Sequence, residues 1–289
     1  MVAVTVAQLP LVVGQREHNL SLAAEAVLAA PRGIVVLPEL LNSGYCFRDR
    51  EESLSLAEPL DGPSVRALTE LAARSGSTLV ASLAILPAEA PARGEGGVPA
   101  PTSAPRRQLL NVAVVIEADG IIGSYTKVHL WGREPEHFLE GTEPPAMVAS
   151  QFGRLALMVC YDLEFPEFTR LAALAGADLV VAPVNWPLEP RPEGSRAREQ
   201  IVVEAAARQN RVAFAVCDRT GAERLDEEVG SDWVGGSLIV GQDGFALTPT
   251  AYGRPALLSA EVELEASRDK ALGPFNDVIK DRRPEVYGF

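Results

Sequence analysis

Three residues of this 289-residue chain stand where chemistry is possible: Cys160, Lys127 and Glu39. Cys160 closes the run Arg154-Leu-Ala-Leu-Met-Val. The chain then turns polar and reaches Pro166. Such a run reads as a buried strand carrying a thiol to the point where the chain leaves a sheet. In open α/β sheets that end of a strand is where ligands and reactive groups gather. Glu39 follows the short apolar run Ile34–Leu37 and Pro38, and Lys127 follows Ile121–Thr126. If the sheets bring these ends together, the carboxylate takes the thiol proton, the thiolate attacks an electrophilic carbon, and the ammonium stabilises the oxyanion. Each residue also has an ordinary reading: a buried core cysteine, a surface carboxylate at a strand end, and an exposed lysine. Only Lys127, Lys270 and Lys280 are lysines, so one lying between apolar stretches stands out.

The elements that would position these groups follow from periodicity and breakers. Strands are expected at Val2–Gln8, Ile34–Leu37, Thr78–Leu86, Leu109–Glu117, Ile121–Lys127, Arg154–Val159, Asp178–Pro183, Val212–Cys217, Gly235–Val240, Phe245–Thr250 and Ala256–Val262. Helices are expected at His18–Ala30, Ser64–Arg74, Glu167–Ala175 and Arg196–Asn210, with Gly33, Gly76 and Gly176 as stops. Asp119-Gly120 and Gln242-Asp-Gly244 mark hairpin turns. Pro87–Arg107, rich in Pro, Ala and Gly, reads as an exposed excursion. The alternation gives an α/β layered fold with mixed sheets. Gly33-Ile-Val-Val-Leu-Pro38 is echoed by Asp178-Leu-Val-Val-Ala-Pro183, a hint of two similar halves facing each other.

Composition narrows the function. With 47% hydrophobic and 22% charged residues the chain is ordinary for a globular protein. A formal net charge of −13 sets it against nucleic acid and anionic membrane surfaces as partners. The N-terminus lacks the basic start and apolar stretch of a signal peptide, and no segment is apolar over the length of a bilayer. Three cysteines, none close in sequence, argue against a disulfide framework and for a reducing cytoplasm. His18, His129 and His137 are the only imidazoles. A Cys–His hydrolase would use His129, which on a strand would share a face with Lys127. A zinc site lacks ligands at the right spacing. A binding subunit that kept a fold and lost its activity is a further alternative. Cys217 reads as structural. Cys46, in the loop after Glu39, reads as a residue near the pocket mouth and open to oxidation.

Leu37-Pro-Glu39-Leu with Gly44-Tyr45, then Tyr125-Thr-Lys127-Val-His129-Leu, then Cys160-Tyr-Asp-Leu-Glu-Phe-Pro-Glu167 resembles the nitrilase superfamily of carbon–nitrogen hydrolases. Glu134-Pro-Glu-His-Phe138 with Gly141 resembles its second-glutamate segment, and Asn185-Trp186-Pro187 its segment after the next strand. Arg196–Asn210, Gly235-Gly-Ser237 and Asp281-Arg-Arg also fit, so the likeness spans essentially the whole chain. The resemblance implies a single-domain four-layer α-β-β-α sandwich with two mixed sheets over residues 1–265. It implies an arm over 266–289 that packs at the interface of a homodimer or larger homo-oligomer.

It further implies a Glu-Lys-Cys triad, with Glu39 as general base, Lys127 as oxyanion stabiliser and Cys160 as nucleophile. Glu134 becomes an accessory acid/base or orienting group, and the Tyr161 N–H the second oxyanion donor. Tyr45, Asn185 and Trp186, with Phe47 and Trp131, are candidates to line the pocket. No metal or cofactor is implied. The expected reaction is hydrolysis of a small-molecule carboxamide to acid and ammonia through a thioester. Nitrile hydrolysis and N-carbamoyl amide hydrolysis are the alternatives. Tyr161-Asp162 stands where nitrilases usually carry Trp-Glu, which favours an amidase. Glu164, if it faces inward, disfavours acidic substrates.

Overall fold

The computed structural model describes residues 1–87, 108–224 and 230–288. The described elements are β1 (Val2–Gln8), α1 (Arg16–Ala29), β2 (Gly33–Val36), α2 (Arg50–Leu56), α3 (Pro63–Ser75), β3 (Thr78–Ile85), β4 (Leu110–Glu117), β5 (Gly120–Thr126), β6 (Ala146–Ser150), β7 (Gly153–Leu157), α4 (Pro166–Leu174), β8 (Leu179–Pro183), α5 (Arg198–Asn210), β9 (Ala213–Cys217), β10 (Ala222–Arg224), β11 (Gly230–Asp232), β12 (Leu238–Val240), β13 (Ala256–Val262) and α6 (Pro284–Tyr287). Short 3-10 turns lie at Glu134–Glu136, Cys160–Glu164 and Leu264–Arg268.

Two sheets form. One has the order β13-β1-β2-β3-β4-β5 and the other β12-β9-β8-β7-β6. In the first, β1, β2 and β3 run parallel and the outer pairs antiparallel. In the second, β7, β8 and β9 run parallel and the outer pairs antiparallel. The echo between residues 33–38 and 178–183 is therefore structural, because β2 and β8 are each the middle strand of a parallel trio.

Period-two alternation explains the layering. Val4, Val6, Ile34, Val36, Val80, Ala113 and Val115 point from the first sheet into a core shared with β7, β8 and β9. Their sequence neighbours Ala7, Val35, Leu37, Leu79, Ala81 and Val114 pack the other face against α1 and α3. Phe168, Ala172 and Ala173 of α4 and Val203, Ala206 and Ala207 of α5 close the far side of the second sheet. The result is the four-layer α-β-β-α sandwich.

Several expectations change. Phe245–Thr250 forms no strand; only Ala246 bridges back to Val240, although the turn before it is real. Pro249 supplies no N–H to a ladder there. α2 and β6 were not anticipated. α2 is polar and begins on Asp49, whose carboxylate accepts from the Glu52 N–H at 2.9 Å. The expected excursion over 87–107 lies, beyond Pro87, outside the described residues. Past β13, the chain is tied back by Arg268 to Asp178 and by Lys270, whose ammonium donates to the carbonyls of Asn210 and Arg211. Among the described residues no helix is long and apolar enough to cross a membrane.

Candidate active site

The site grows from one face of the first sheet. Ser82, Asn111, Tyr125 and Lys127 stand at alternate positions whose partners along each strand point into the core between the sheets. β5 ends at Thr126, yet the Lys127 N–H still donates to the Asn111 carbonyl at 2.9 Å, so the two side chains lie side by side. The Gly141 N–H donates to the Lys127 carbonyl at 2.8 Å. A Cβ at Gly141 would sit 2.2 Å from the Thr126 oxygen, so only glycine permits this approach.

Glu39 arrives from the end of β2 and is fully buried, as is Lys127. Lys127 Nζ lies 2.8 Å from Glu39 Oε1 and 2.7 Å from Glu134 Oε1. Asn111 Nδ2 donates to Glu39 Oε1 at 2.7 Å, while Ser82 Oγ donates to Asn111 Oδ1 at 2.5 Å. Glu39 Oε2 has no hydrogen-bond partner, which leaves one carboxylate oxygen free. Tyr45 OH donates to Glu134 Oε1 at 2.7 Å, and the Trp131 N–H to Glu134 Oε2 at 2.9 Å. Glu134 is thus held at both oxygens.

Cys160 comes from the second sheet, three residues past the end of β7. Its φ is +48°, in the left-handed region that non-glycine residues seldom occupy. Asp162 holds this turn. Its Oδ2 accepts from the Val159 N–H at 2.9 Å and from Tyr125 OH at 2.8 Å. Its Oδ1 lies 3.0 Å from the His129 N–H and 2.7 Å from His129 Nδ1. The Sγ of Cys160 faces the Asn185 carbonyl at 3.9 Å, and Asn185 Nδ2 donates to the Glu39 carbonyl at 3.2 Å. Asn185 therefore ties the glutamate of one sheet to the cysteine of the other.

Burial shapes the proton affinities. It pushes Glu39 up to about 7, against the pull of Lys127 and with help from Glu134. It also pushes the Cys160 thiol well up, and Glu39 adds to this while Lys127 opposes it. For Lys127 burial works against the charge, but Glu134 and Glu39 outweigh it and hold the ammonium well above its usual range. At neutral pH the picture is a neutral thiol beside a carboxyl group that gains and loses its proton near that pH, with a firmly protonated lysine.

Two cavities flank this set. One, of ≈ 240 Å³, is walled by Tyr45, Phe47, Trp131, Glu134, Asn185 and Trp233 among others. The other, of ≈ 200 Å³, is walled by Cys160, Tyr161, Trp186 and Glu164 among others. Trp131 and Pro187 belong to both. Tyr45, Asn185, Trp186, Phe47 and Trp131 all reach a cavity wall, while Glu39 and Lys127 lie behind the walls. Trp186 is also anchored from behind, its N–H donating to buried Asp218 at 3.0 Å.

His129 does not share a face with Lys127. The strand ends before it, its ring stacks on Phe165 at 3.8 Å, and its nitrogen serves Asp162. The Cys–His alternative loses its geometry. Cys46 does reach a cavity wall, but burial and then Glu223 push its thiol up to about 12, so the oxidisable thiolate is scarce. Cys217 is buried against the Ala7 carbonyl. The sequence reading missed Asn111, Ser82 and the anchoring work of Asp162. A polar residue at an inward position of an apolar strand was the available signal for Asn111.

Comparison with known proteins agrees with the geometry. The carbon-nitrogen hydrolase family profile matches residues 3–271. A nitrilase of Pyrococcus abyssi (strain GE5 / Orsay) is 32% identical over 293 residues, covering 99% of both chains. An N-carbamoylputrescine amidase of Solanum lycopersicum is 26% identical over 93% of this chain and 88% of its own. Among solved structures, a glutamate-to-glutamine mutant of the amidase from Nesterenkonia sp. AN1 superposes with a TM-score of 0.73 at 25% identity. It covers 100% of this chain and 99% of its own, and shows the result of Michael addition of acrylamide at its active site cysteine. The chain belongs to the carbon-nitrogen hydrolase family, within the nitrilase superfamily, and is a hydrolase of carbon–nitrogen bonds other than peptide bonds.

Proposed function

We propose that this protein hydrolyses a small-molecule carboxamide to its carboxylic acid and ammonia through a thioester on Cys160. The observation that carries the reading is the buried Glu39–Lys127–Glu134 set acting electrostatically on a thiol held at positive φ. Cys160 Sγ attacks the amide carbon as Glu39 takes the thiol proton. Lys127 Nζ and the Tyr161 N–H stabilise the oxyanion. The C–N bond breaks, the proton on Glu39 passes to the departing nitrogen, and ammonia leaves. Water then gives a proton to Glu39 and attacks the thioester; the acid departs and the thiol is restored. Glu134, bound at both oxygens, acts chiefly as the anion that orients Lys127.

Glu164 and Glu199 both border the cavity that contains Cys160, and burial, then Glu199, raises the Glu164 carboxyl. That wall supports neutral or cationic acyl groups over acidic ones. Nitrile hydrolysis remains the second reading, favoured by the 32% identity to an archaeal nitrilase. Ammonia release from paired amides and nitriles sharing one acyl group tests both. Amide-only release supports the amidase; release from nitriles with acid as product moves the chain to the nitrilase reading. If neither is cleaved, the carboxamide proposal is overturned, and release from N-carbamoyl compounds would assign the third alternative.

The reaction needs ionised Glu39, whose affinity burial pushes up to about 7. A group so raised gains its proton as pH falls through that value, so kcat/KM should drop on the acid side of about pH 7. A profile flat from about pH 5.5 to 8 would contradict Glu39 as base.

Residues 266–289 fit an arm that packs on a second copy of the chain. Phe275 is 89% exposed, and Val286 and Tyr287 further along the same segment are exposed as well. Sedimentation should show a dimer for the wild type and a smaller species for Phe275→Asp; equal masses would remove the arm from the interface.

A further inference from the structure

Arg219 is fully buried, and so is its partner Glu223, with side-chain exposures of 0% and 1%. The guanidinium donates to Glu223 Oε1 and to the Leu11 carbonyl, and lies over the Trp233 ring at 5.0 Å. Neither residue borders the two cavities around the nucleophile. A buried ion pair is a poor source of stability, because desolving two charges offsets most of their attraction. Its contacts show a different use.

Glu223 Oε2 accepts from the Cys46 N–H at 2.8 Å and from the Tyr45 N–H at 3.1 Å. Gly44, at φ +78°, lets the loop come this close: a Cβ there would stand 2.7 Å from Glu223 Oε1 and 2.5 Å from Val13 Cα. Trp233, gripped by Arg219 on one side, meets the Tyr45 ring edge-on at 5.3 Å and 80°. Tyr45 is therefore fixed twice, at its backbone by Glu223 and at its ring by Trp233. Its hydroxyl then reaches Glu134 Oε1, the same oxygen that holds Lys127 Nζ.

We propose that the buried Arg219–Glu223 pair is a positioning device for catalysis, acting through Tyr45 to fix Glu134 and thereby Lys127. The inference rests on the hydrolase mechanism above, with Lys127 as oxyanion donor. Loss of the Glu223 anchor releases the 44–46 loop and the Tyr45 hydroxyl leaves Glu134, whose carboxylate then keeps only the Trp131 N–H and Lys127 and holds the lysine less firmly. The device works on the transition state rather than on substrate capture, so kcat should fall and KM should change little.

The test is a double-mutant cycle between Glu223→Gln and Tyr45→Phe. Two rates are read: kcat on the amide that wild type turns over fastest, and the rate of Cys160 alkylation by iodoacetamide, followed by peptide mass spectrometry. Each single variant should lose about tenfold or more in kcat with KM within about threefold, and the double variant no more than the worse single. Alkylation should show the same lack of additivity. Losses that multiply, or wild-type rates in a folded Glu223→Gln protein, would overturn the proposal. If Glu223→Gln fails to fold, Glu223→Asp keeps the charge beside Arg219 but draws the carboxylate back from the loop, and enters the same cycle with the same expectations. If wild type cleaves no amide, the carboxamide reading has failed, while the alkylation cycle still decides the coupling.

Discussion

Cys160→Ala should abolish turnover, by at least about 10⁴-fold, while leaving the fold intact. The two halves of that expectation have separate reasons. Without Sγ no acyl-enzyme forms, and Glu39 and Lys127 would have to direct water to a carbon that the thiol normally attacks. The side chain itself is small and 7% exposed, so its loss leaves only a slight void. The turn is held by Asp162 and not by the thiol, because the four contacts on Asp162 come from Val159, Tyr125 and His129. Thermal unfolding near the wild-type temperature with no measurable ammonia release is the expected result. Activity within about tenfold of wild type would remove Cys160 from the mechanism.

Lys127→Met should harm both activity and stability. The missing oxyanion donor is expected to reduce kcat by about 10²–10³-fold. The stability effect arises because two buried carboxylates, Glu39 and Glu134, now face each other without the ammonium 2.8 and 2.7 Å away. Breaking a buried pair by removing one partner typically costs about 3–5 kcal/mol. The sign of its pH dependence follows. Glu39 is already raised from 4.5 to about 7 with the lysine present, and removing a cation raises it further. The folded variant therefore binds protons more readily than the unfolded chain. Its deficit relative to wild type should be smallest in acid, where Glu39 is protonated in both folded proteins, and should grow as pH rises past about 7, where Glu39 ionises beside Lys127 in wild type but resists ionisation in the variant. Denaturant unfolding of wild type and variant at pH 5 and pH 8 checks this; a deficit that shrinks with rising pH would contradict the buried-pair account.

Much of the architecture was legible because burial follows strand period. β1 and β13 match their expected ranges to the residue, since both alternate cleanly between the core and a second environment. The pairing of β2 and β8 as equivalent central strands was visible as the repeated Val-Val before proline. β6 was not, because its five residues carry only a weak apolar pattern and owe their place to pairing with β7. Phe245–Thr250 misled for the opposite reason, carrying apolar residues but pairing with β12 through a single bridge.

The positions of Glu39, Lys127 and Cys160 could be read as strand ends. Their convergence could not, because it depends on two sheets meeting face to face. The same holds for Arg219 and Glu223, which look in sequence like ordinary charges after a strand. Only the folded chain shows that both are enclosed and that Glu223 holds the loop bearing Tyr45. His129 shows the reverse error, since strand periodicity was carried past the residue where the strand stops.

The most direct measurement is rapid acid quench of wild type during turnover of its best amide, followed by intact and peptide mass spectrometry. The account predicts a mass increase equal to the acyl group, located on the peptide containing Cys160 and absent in Cys160→Ala. Sustained turnover with no adduct at any quench time, or an adduct on another residue, would contradict a thioester on Cys160.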